Sequence, residues 1–398
     1  MPPASAAHKM HAIDSADDAQ PHPREARSMR TKGFISLALA ALPAASQAAM
    51  PIAQLNQHAE RIFKDSQAVG MVMVVIDKQG GLQRFYGETR PGSRQTPDAN
   101  SLLRIASLSK LMTSEVLAAM VLDQRLKLDD PLQKFAPAGS RPAKALGGQP
   151  ITLLHLATHT SGLPRELPGV KPRDTPVFVW PNQQQRWRWL AKTKTRFAPG
   201  QSAQYSNLAY DYLADALAVA AGKPYPTLLR DTVTGPLAMR DTTFNPSPAQ
   251  CARLLRGVET SPCVNTSAAI GSGGVYSTAA DMQRWLQDLV RPQSEQRKRL
   301  YQQTFQMRYQ RAELRSLTGM DVPGKADALG LGWVALREQP NAQLFLQKTA
   351  GGGGFFSYVA IDPQRQTAVW VALTRGKQTR YQAMSDGVNQ LLLALNRS

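Results

Sequence analysis

The chain predicts an α+β fold: one mainly antiparallel sheet assembled from both chain ends, flanked by helices, with a helical subdomain inserted between. Three observations carry this. Short apolar β runs gather near residue 70 and again beyond residue 343, the stretch from about Ser107 to Leu289 reads as helix and loop, and the last apolar residues recur at helical spacing.

Taken in order, residues from about Ala53 to Lys64 predict a helix. Met71 to Ile76 is a short β run, Leu82 to Tyr86 its partner, and Lys78-Gln79-Gly80-Gly81 the turn between them. A strongly apolar helical run opens at Ser107, and a second spans Leu208 to Ala220. Between them, Pro164 to Pro181 holds five prolines and Trp180, a long loop suited to rim a cleft. Gln343 to Lys348, Phe355 to Ile361 and Thr367 to Thr374 are three further strands, parted by glycines and by Asp362-Pro363. Met384, Val388, Leu391, Leu392 and Leu395 then mark a closing amphipathic helix. The expected domain runs from 49 to 398, with sheet parts at about 51–106 and 320–398 and a helical part at about 107–319.

Arg30 and Lys32, the apolar stretch Phe34 to Leu42 and the small residues of Ser46-Gln47-Ala48 read as a secretory signal peptide over 29–48, cut after Ala48. Residues 1–28 precede Met29 and read as a disordered leader or a start codon placed too early. No later stretch reaches the eighteen or so apolar residues of a membrane span. Export to an oxidising compartment suggests that Cys251 and Cys263, the sole cysteines, form one local disulfide, the alternative being two unpaired buried thiols. In the chain-entropy account a loop that short contributes about 3 kcal/mol.

Forty-seven Lys and Arg against twenty-nine Asp and Glu give a net charge of +18. Such a balance favours an anionic partner, and a cell wall or membrane face fits. The charges are dispersed, with no helix-turn-helix, zinc-finger or RNA-binding signature, so nucleic acid is not expected as a partner.

Ser107 and Lys110 form the chain's one Ser-x-x-Lys. At 3.6 residues per turn the two side chains share a helix face, and the helix N-terminus adds backbone N–H groups and a positive dipole end beside the hydroxyl. Roughly one such tetrad is expected by chance in a chain of this length, so partners must be found. Tyr205-Ser206-Asn207 follows 98 residues after the serine, between Pro199-Gly200 and the second helical run. Lys348-Thr349 comes later, at the end of a strand and ahead of Gly351 to Gly354, where a backbone can approach a ligand closely.

Ser107-x-x-Lys110, Tyr205-x-Asn207 and Lys348-Thr349 resemble the three motifs of the serine penicillin-recognising enzymes, the group of class C β-lactamases and low-molecular-mass penicillin-binding proteins. The resemblance runs from about residue 50 to the C-terminus and includes Ile151 to Leu163, Pro236 to Met239, Gly273 to Thr278 and Gly330 to Trp333. Within the family the chain is most similar to the AmpH type, periplasmic D-alanyl-D-alanine carboxypeptidase/endopeptidases. The resemblance implies a β-lactamase/transpeptidase-like fold and an acyl-enzyme on Ser107, with Lys110 and Tyr205 sharing the proton. The backbone N–H groups of Ser107 and Gly351 would form the oxyanion hole, Asn207 would meet the substrate amide, and Lys348 with Thr349 would receive its carboxylate. Peptidoglycan stem peptides are the implied partner, with β-lactams as covalent inhibitors or poor substrates. A β-lactamase or a small-ester hydrolase on the same scaffold is the alternative. The third motif normally ends in glycine; here it is Ala350, whose methyl should face the cleft beside Lys348.

Other chemistries fit less well. His155 and His159 stand at i, i+4, but the Glu of a His-Glu-x-x-His protease is missing, so a structural role is favoured over a metal site. No Gly-x-Ser-x-Gly elbow occurs, and Gly351 to Gly354 lacks the Lys-Ser/Thr ending of a phosphate loop. No cofactor and no metal are expected.

Overall fold

The computed structural model describes residues 50–169, 171–337 and 344–397. The expected leader, 1–28, and signal peptide, 29–48, lie outside the described residues. The main sheet has eight strands: β1 Gly70–Asp77, β2 Gly80–Gly87, β3 Tyr309–Gln310, β4 Ala326–Leu329, β5 Val334–Leu336, β6 Phe345–Gly352, β7 Phe355–Asp362 and β8 Thr367–Thr374. Among the described residues, the helices of eleven residues or more are α1 Ile52–Ser66, α2 Ser109–Leu122, α3 Asn207–Ala221, α4 Ala279–Val290, α5 Glu295–Phe305 and α6 Tyr381–Arg397.

Why both chain ends share one sheet follows from β1, which is buried along its whole length. A strand with no polar alternation needs cover on both faces. Val72, Val74 and Ile76 turn toward the helical middle of the chain and join its core with Leu111 and Met112 of α2. Met71, Met73 and Val75 turn the other way, onto Leu55, Ala59 and Ile62 of α1 and Met384, Val388 and Leu391 of α6. Edge to edge, Val74 pairs with Gln83 of β2 and with Trp370 of β8, so the N-terminal hairpin is extended by the C-terminal strands. All neighbours are antiparallel, in the order β2-β1-β8-β7-β6-β5-β4-β3.

Two details differ from expectation. β3 falls within the stretch 107–319, expected to be helical; two residues are too few for a period-2 pattern to show. The strand bearing Lys348 does not end there but runs on to Gly352, because Lys348, Ala350 and Gly351 pair with Val359, Ser357 and Phe356 of β7. Gln343, its expected first residue, is outside the described residues. The hairpin turn that follows needs its glycines: Gly353 and Gly354 have φ of 63° and 92°.

Helix α2 is buried nearly all round, eleven of its fourteen residues being inaccessible, as suits a central helix. Two short pairings fix the chain just before the Ser107 and Tyr205 motifs. Leu103–Arg104 pairs antiparallel with Tyr276–Ser277, and Ala203–Gln204 pairs parallel with Leu317–Thr318. The sulfurs of Cys251 and Cys263, 12 residues apart in the chain, stand at disulfide distance, 2.13 Å. Among the described residues no helix is long and apolar enough to cross a membrane.

Candidate active site

Ser107 lies in a short helical turn, Ala106–Leu108, at the mouth of α2. Ala106 before it is left-handed, φ 46°, a conformation that costs a residue with a Cβ about 1 kcal/mol or more and survives only where neighbours impose it. Here the neighbour is the pairing at Leu103–Arg104, continued by Ile105 N–H donating to Val275 at 3.1 Å. One turn on, Lys110 Nζ reaches Ser107 Oγ at 3.2 Å, Asn207 Oδ1 at 2.7 Å and the Ser272 carbonyl at 2.5 Å. The Tyr205 hydroxyl donates to the same Ser107 Oγ at 2.6 Å. Tyr205 is held by its N–H on Thr318 at 3.1 Å, and Ser206 caps α3 through Ala209 N–H at 3.0 Å. Asn207, the first residue of α3, is thereby aimed back at Lys110.

Charge is confined here. Lys110 and Lys348 are both buried, and their ammonium nitrogens stand 5.0 Å from the Tyr205 ring centre, with the Arg165 guanidinium 4.8 Å from it. Burial lowers Lys110 to about 7, opposed by Asp211 and Glu166 and assisted by Arg165. Asp211 accepts the N–H groups of Gly271 and Ser272 at 3.0 Å each, which orients the Ser272 carbonyl toward Lys110. Burial likewise lowers Lys348 to about 8, opposed by Tyr205 and assisted by Lys110 and Arg165.

Ser107 opens onto a cavity of about 310 Å³ walled by Arg165, Tyr205, Thr349, Ala350 and Gly351 among others. Five of the seven expected residues, Ser107, Lys110, Tyr205, Thr349 and Gly351, therefore meet around one hydroxyl or on this wall, and Asn207 joins them through Lys110 Nζ. Lys348 lies behind the wall, beneath Tyr205. The Ala350 methyl reaches the cavity and shares the core on the helical side of the sheet with Leu346, as strand alternation demands. A larger groove of about 790 Å³, with Arg230 and Arg240 in its lining, shares no lining residue with the site.

Three contributions were not read from the sequence. Arg165 and Glu166 open the proline-rich loop, and Glu166 accepts from Asn207 Nδ2 while the Arg165 carbonyl accepts from Asn207 N–H at 2.8 Å. The Ser272 carbonyl is a backbone group, which no side-chain pattern reveals. His159 enters the site, its ring 4.5 Å from that of Tyr205, whereas His155 caps the short helix Leu153–Ala157 through Thr152. Among the described residues no three His, Cys, Asp or Glu side chains are grouped to hold a metal.

Residues 55–393 match the sequence profile of the family described as Beta-lactamase. The chain belongs to the beta-lactamase family. It is 49% identical over 373 residues to the D-alanyl-D-alanine-carboxypeptidase/endopeptidase AmpH of Escherichia coli, covering 91% of this chain and 96% of that one. To a Beta-lactamase of the same organism it is 28% identical, over 84% of this chain and 91% of the other. Among solved structures, the Beta-lactamase/D-alanine Carboxypeptidase from Yersinia pestis complexed with citrate superposes with a TM-score of 0.82 at 51% identity, covering 86% of this chain and 97% of that chain. The eight-stranded antiparallel sheet flanked by helices is the beta-lactamase/transpeptidase-like fold.

Proposed function

We propose that the chain is an exported serine D-Ala-D-Ala carboxypeptidase/endopeptidase acting on peptidoglycan stem peptides. The observation that carries it is the meeting of Lys110 Nζ and the Tyr205 hydroxyl on Ser107 Oγ at the wall of one cavity, in a beta-lactamase family chain 49% identical to AmpH. Ser107 Oγ attacks the carbonyl before the terminal D-Ala, and its proton passes to the Lys110–Tyr205 pair. An unshifted lysine costs about 4.6 kcal/mol to neutralise at pH 7. With burial holding Lys110 near 7, that cost all but disappears, so its free amine can take the proton. The same proton then goes to the departing D-Ala nitrogen, and water later releases the acyl group from Ser107.

The backbone N–H groups of Ser107 and Gly351 hold the oxyanion, Asn207 meets the substrate amide, and Thr349, with Lys348 behind it, takes the carboxylate. β-Lactams enter the same acylation step and differ in how fast water frees the serine. Export through the 29–48 segment to the periplasm accords with a bonded Cys251–Cys263 pair, and the net positive charge suits contact with an anionic wall or membrane face.

The test incubates the exported form with a fluorescent penicillin and with peptidoglycan fragments, beside Ser107→Ala. D-Ala release with slow penicillin turnover, both absent in the variant, is expected; fast penicillin turnover with intact fragments assigns a β-lactamase instead. Ala350 raises the cavity floor by one methyl, which favours slim peptide ends over bulky β-lactam side chains. Ala350→Gly should raise acylation by bulky β-lactams relative to slim substrates by about tenfold, and an unchanged ratio removes Ala350 from the account of specificity.

A further inference from the structure

His159 touches both distant motifs. It is buried, and its backbone is left-handed, φ 61°. Its carbonyl accepts from Gln204 N–H at 2.9 Å, its Nδ1 accepts from Ser206 N–H at 3.1 Å, and its ring lies against Tyr205 between those two residues. A second face packs on Tyr210, ring centres 5.1 Å apart. Nε2 faces Lys348 Nζ at 3.5 Å. A neutral imidazole has one donor nitrogen and one acceptor. A backbone N–H can only donate, so Nδ1 is the acceptor and the proton is left on Nε2.

We infer that His159 is a positioning residue for both motifs: it clasps Gln204 to Ser206, and, with its proton forced onto Nε2, turns an N–H rather than a lone pair toward Lys348, so that this lysine is a readily discharged ammonium instead of a fixed cation. An ammonium there meets N–H against N–H, whereas a free amine accepts the bond. The inference rests on the acyl-serine reading but not on the identity of the substrate.

The other charged or titratable groups bearing on Lys348 are Tyr205, Lys110 and Arg165; its partner on β7, Val359, is apolar. Those bearing on His159 are Lys348, Lys110 and Arg165, with the phenols Tyr205 and Tyr210 against its ring; burial, the largest cause, and the three cations hold its pKa well below the ordinary range, so the ring is neutral.

Acylation of the protein by a fluorescent penicillin, followed from pH 5 to pH 10, tests this even where no peptide is cleaved. His159→Asn keeps an acceptor near Ser206 but removes the N–H facing Lys348. Its basic limb of acylation should move up by about one pH unit, because the ammonium is no longer opposed. His159→Gln restores an N–H near the position of Nε2, and its limb should return toward that of the parent protein. A merely structural role lowers the rate at every pH and leaves the limb in place, and that result in a variant that melts normally overturns the inference. Nitrogen-15 NMR of the parent imidazole needs no variant: a proton on Nε2 at pH 7 is expected, and a proton on Nδ1 overturns it. Failure of D-Ala release with the limb shifted as expected would strike the proposed substrate and leave this inference standing.

Discussion

Lys110 and Glu115 are five residues apart on α2, both fully buried, and burial drives each toward its neutral form, the lysine down to about 7 and the carboxyl up to about 7. By burial and displacement alone the two could not be told apart. Their surroundings separate them. Lys110 ends on a hydroxyl that opens into a cavity, with Asn207 and a carbonyl as its other partners. Glu115 ends in a sealed cluster: Trp285 Nε1 donates to it at 2.6 Å, Arg297 lies 3.6 Å away, and that arginine is already paired with Asp288. A perturbed buried group is therefore reactive only where it adjoins a nucleophile and space for a substrate; elsewhere on the same helix it is an anchor.

The hardest test of that division is removal of each group's key partner or function. Lys110→Ala should lower acylation by about 10,000-fold while the melting temperature holds or rises, because a desolvated amine leaves with it. A loss of ten-fold or less would mean that Tyr205 alone serves as the base. Arg297→Ala should do the reverse. It strands Glu115 and Asp288 together, which costs about 3–5 kcal/mol of stability measured by urea unfolding, while the folded fraction keeps its acylation rate. A fall in that rate at unchanged stability would place the cluster in the chemistry.

How far this division could be foreseen differs between its two sides. Ser107 and Lys110 were legible because a three-residue spacing is a local statement about one helix face, and Tyr205, Asn207 and Lys348 because their motifs keep their order along the chain. The both-face burial of β1 was legible in its unbroken apolar run, whereas the two-residue β3 carries too short a pattern to register. Trp285 lies 170 residues from Glu115, and Glu166 meets Asn207 only through the path of a proline-rich loop. Such contacts are set by packing of distant segments, and residue type alone does not disclose them. His159 was visible as a histidine, but its neighbours, Ser206 and Lys348, come from two other parts of the fold.

Acid–base linkage sharpens the contrast, since the two groups act in adjacent windows with opposite sign. Glu115 moves from 4.5 when unfolded to about 7 when folded, so between those values the folded state binds more protons and stability falls as pH rises, by about 3 kcal/mol at most. Lys110 moves from 10.5 to about 7, so there the unfolded state binds more protons and stability recovers as pH rises through that range. Unfolding free energies of Glu115→Gln, subtracted from those of the parent between pH 4 and pH 8, isolate the first window. A flat difference would show that Arg297 already holds Glu115 ionised at low pH.

The smallest expected effect distinguishes the hydrogen bond to Glu115 from the packing around it. Trp285→Phe removes the Nε1 donor but keeps an aromatic ring on α4 in the core. At pH 8 Glu115 is mostly ionised and the bond it loses is charge-assisted; at pH 5 it is protonated and the same bond is between neutral groups. The packing loss is the same at both. The variant should therefore be destabilised more at pH 8 than at pH 5, by about 1 kcal/mol. Without its donor Glu115 is pushed further up, so the fall in stability also continues to higher pH than in the parent. Equal losses at the two pH values would mean that Trp285 only fills space, and the sealed end of α2 would then rest on Arg297 alone.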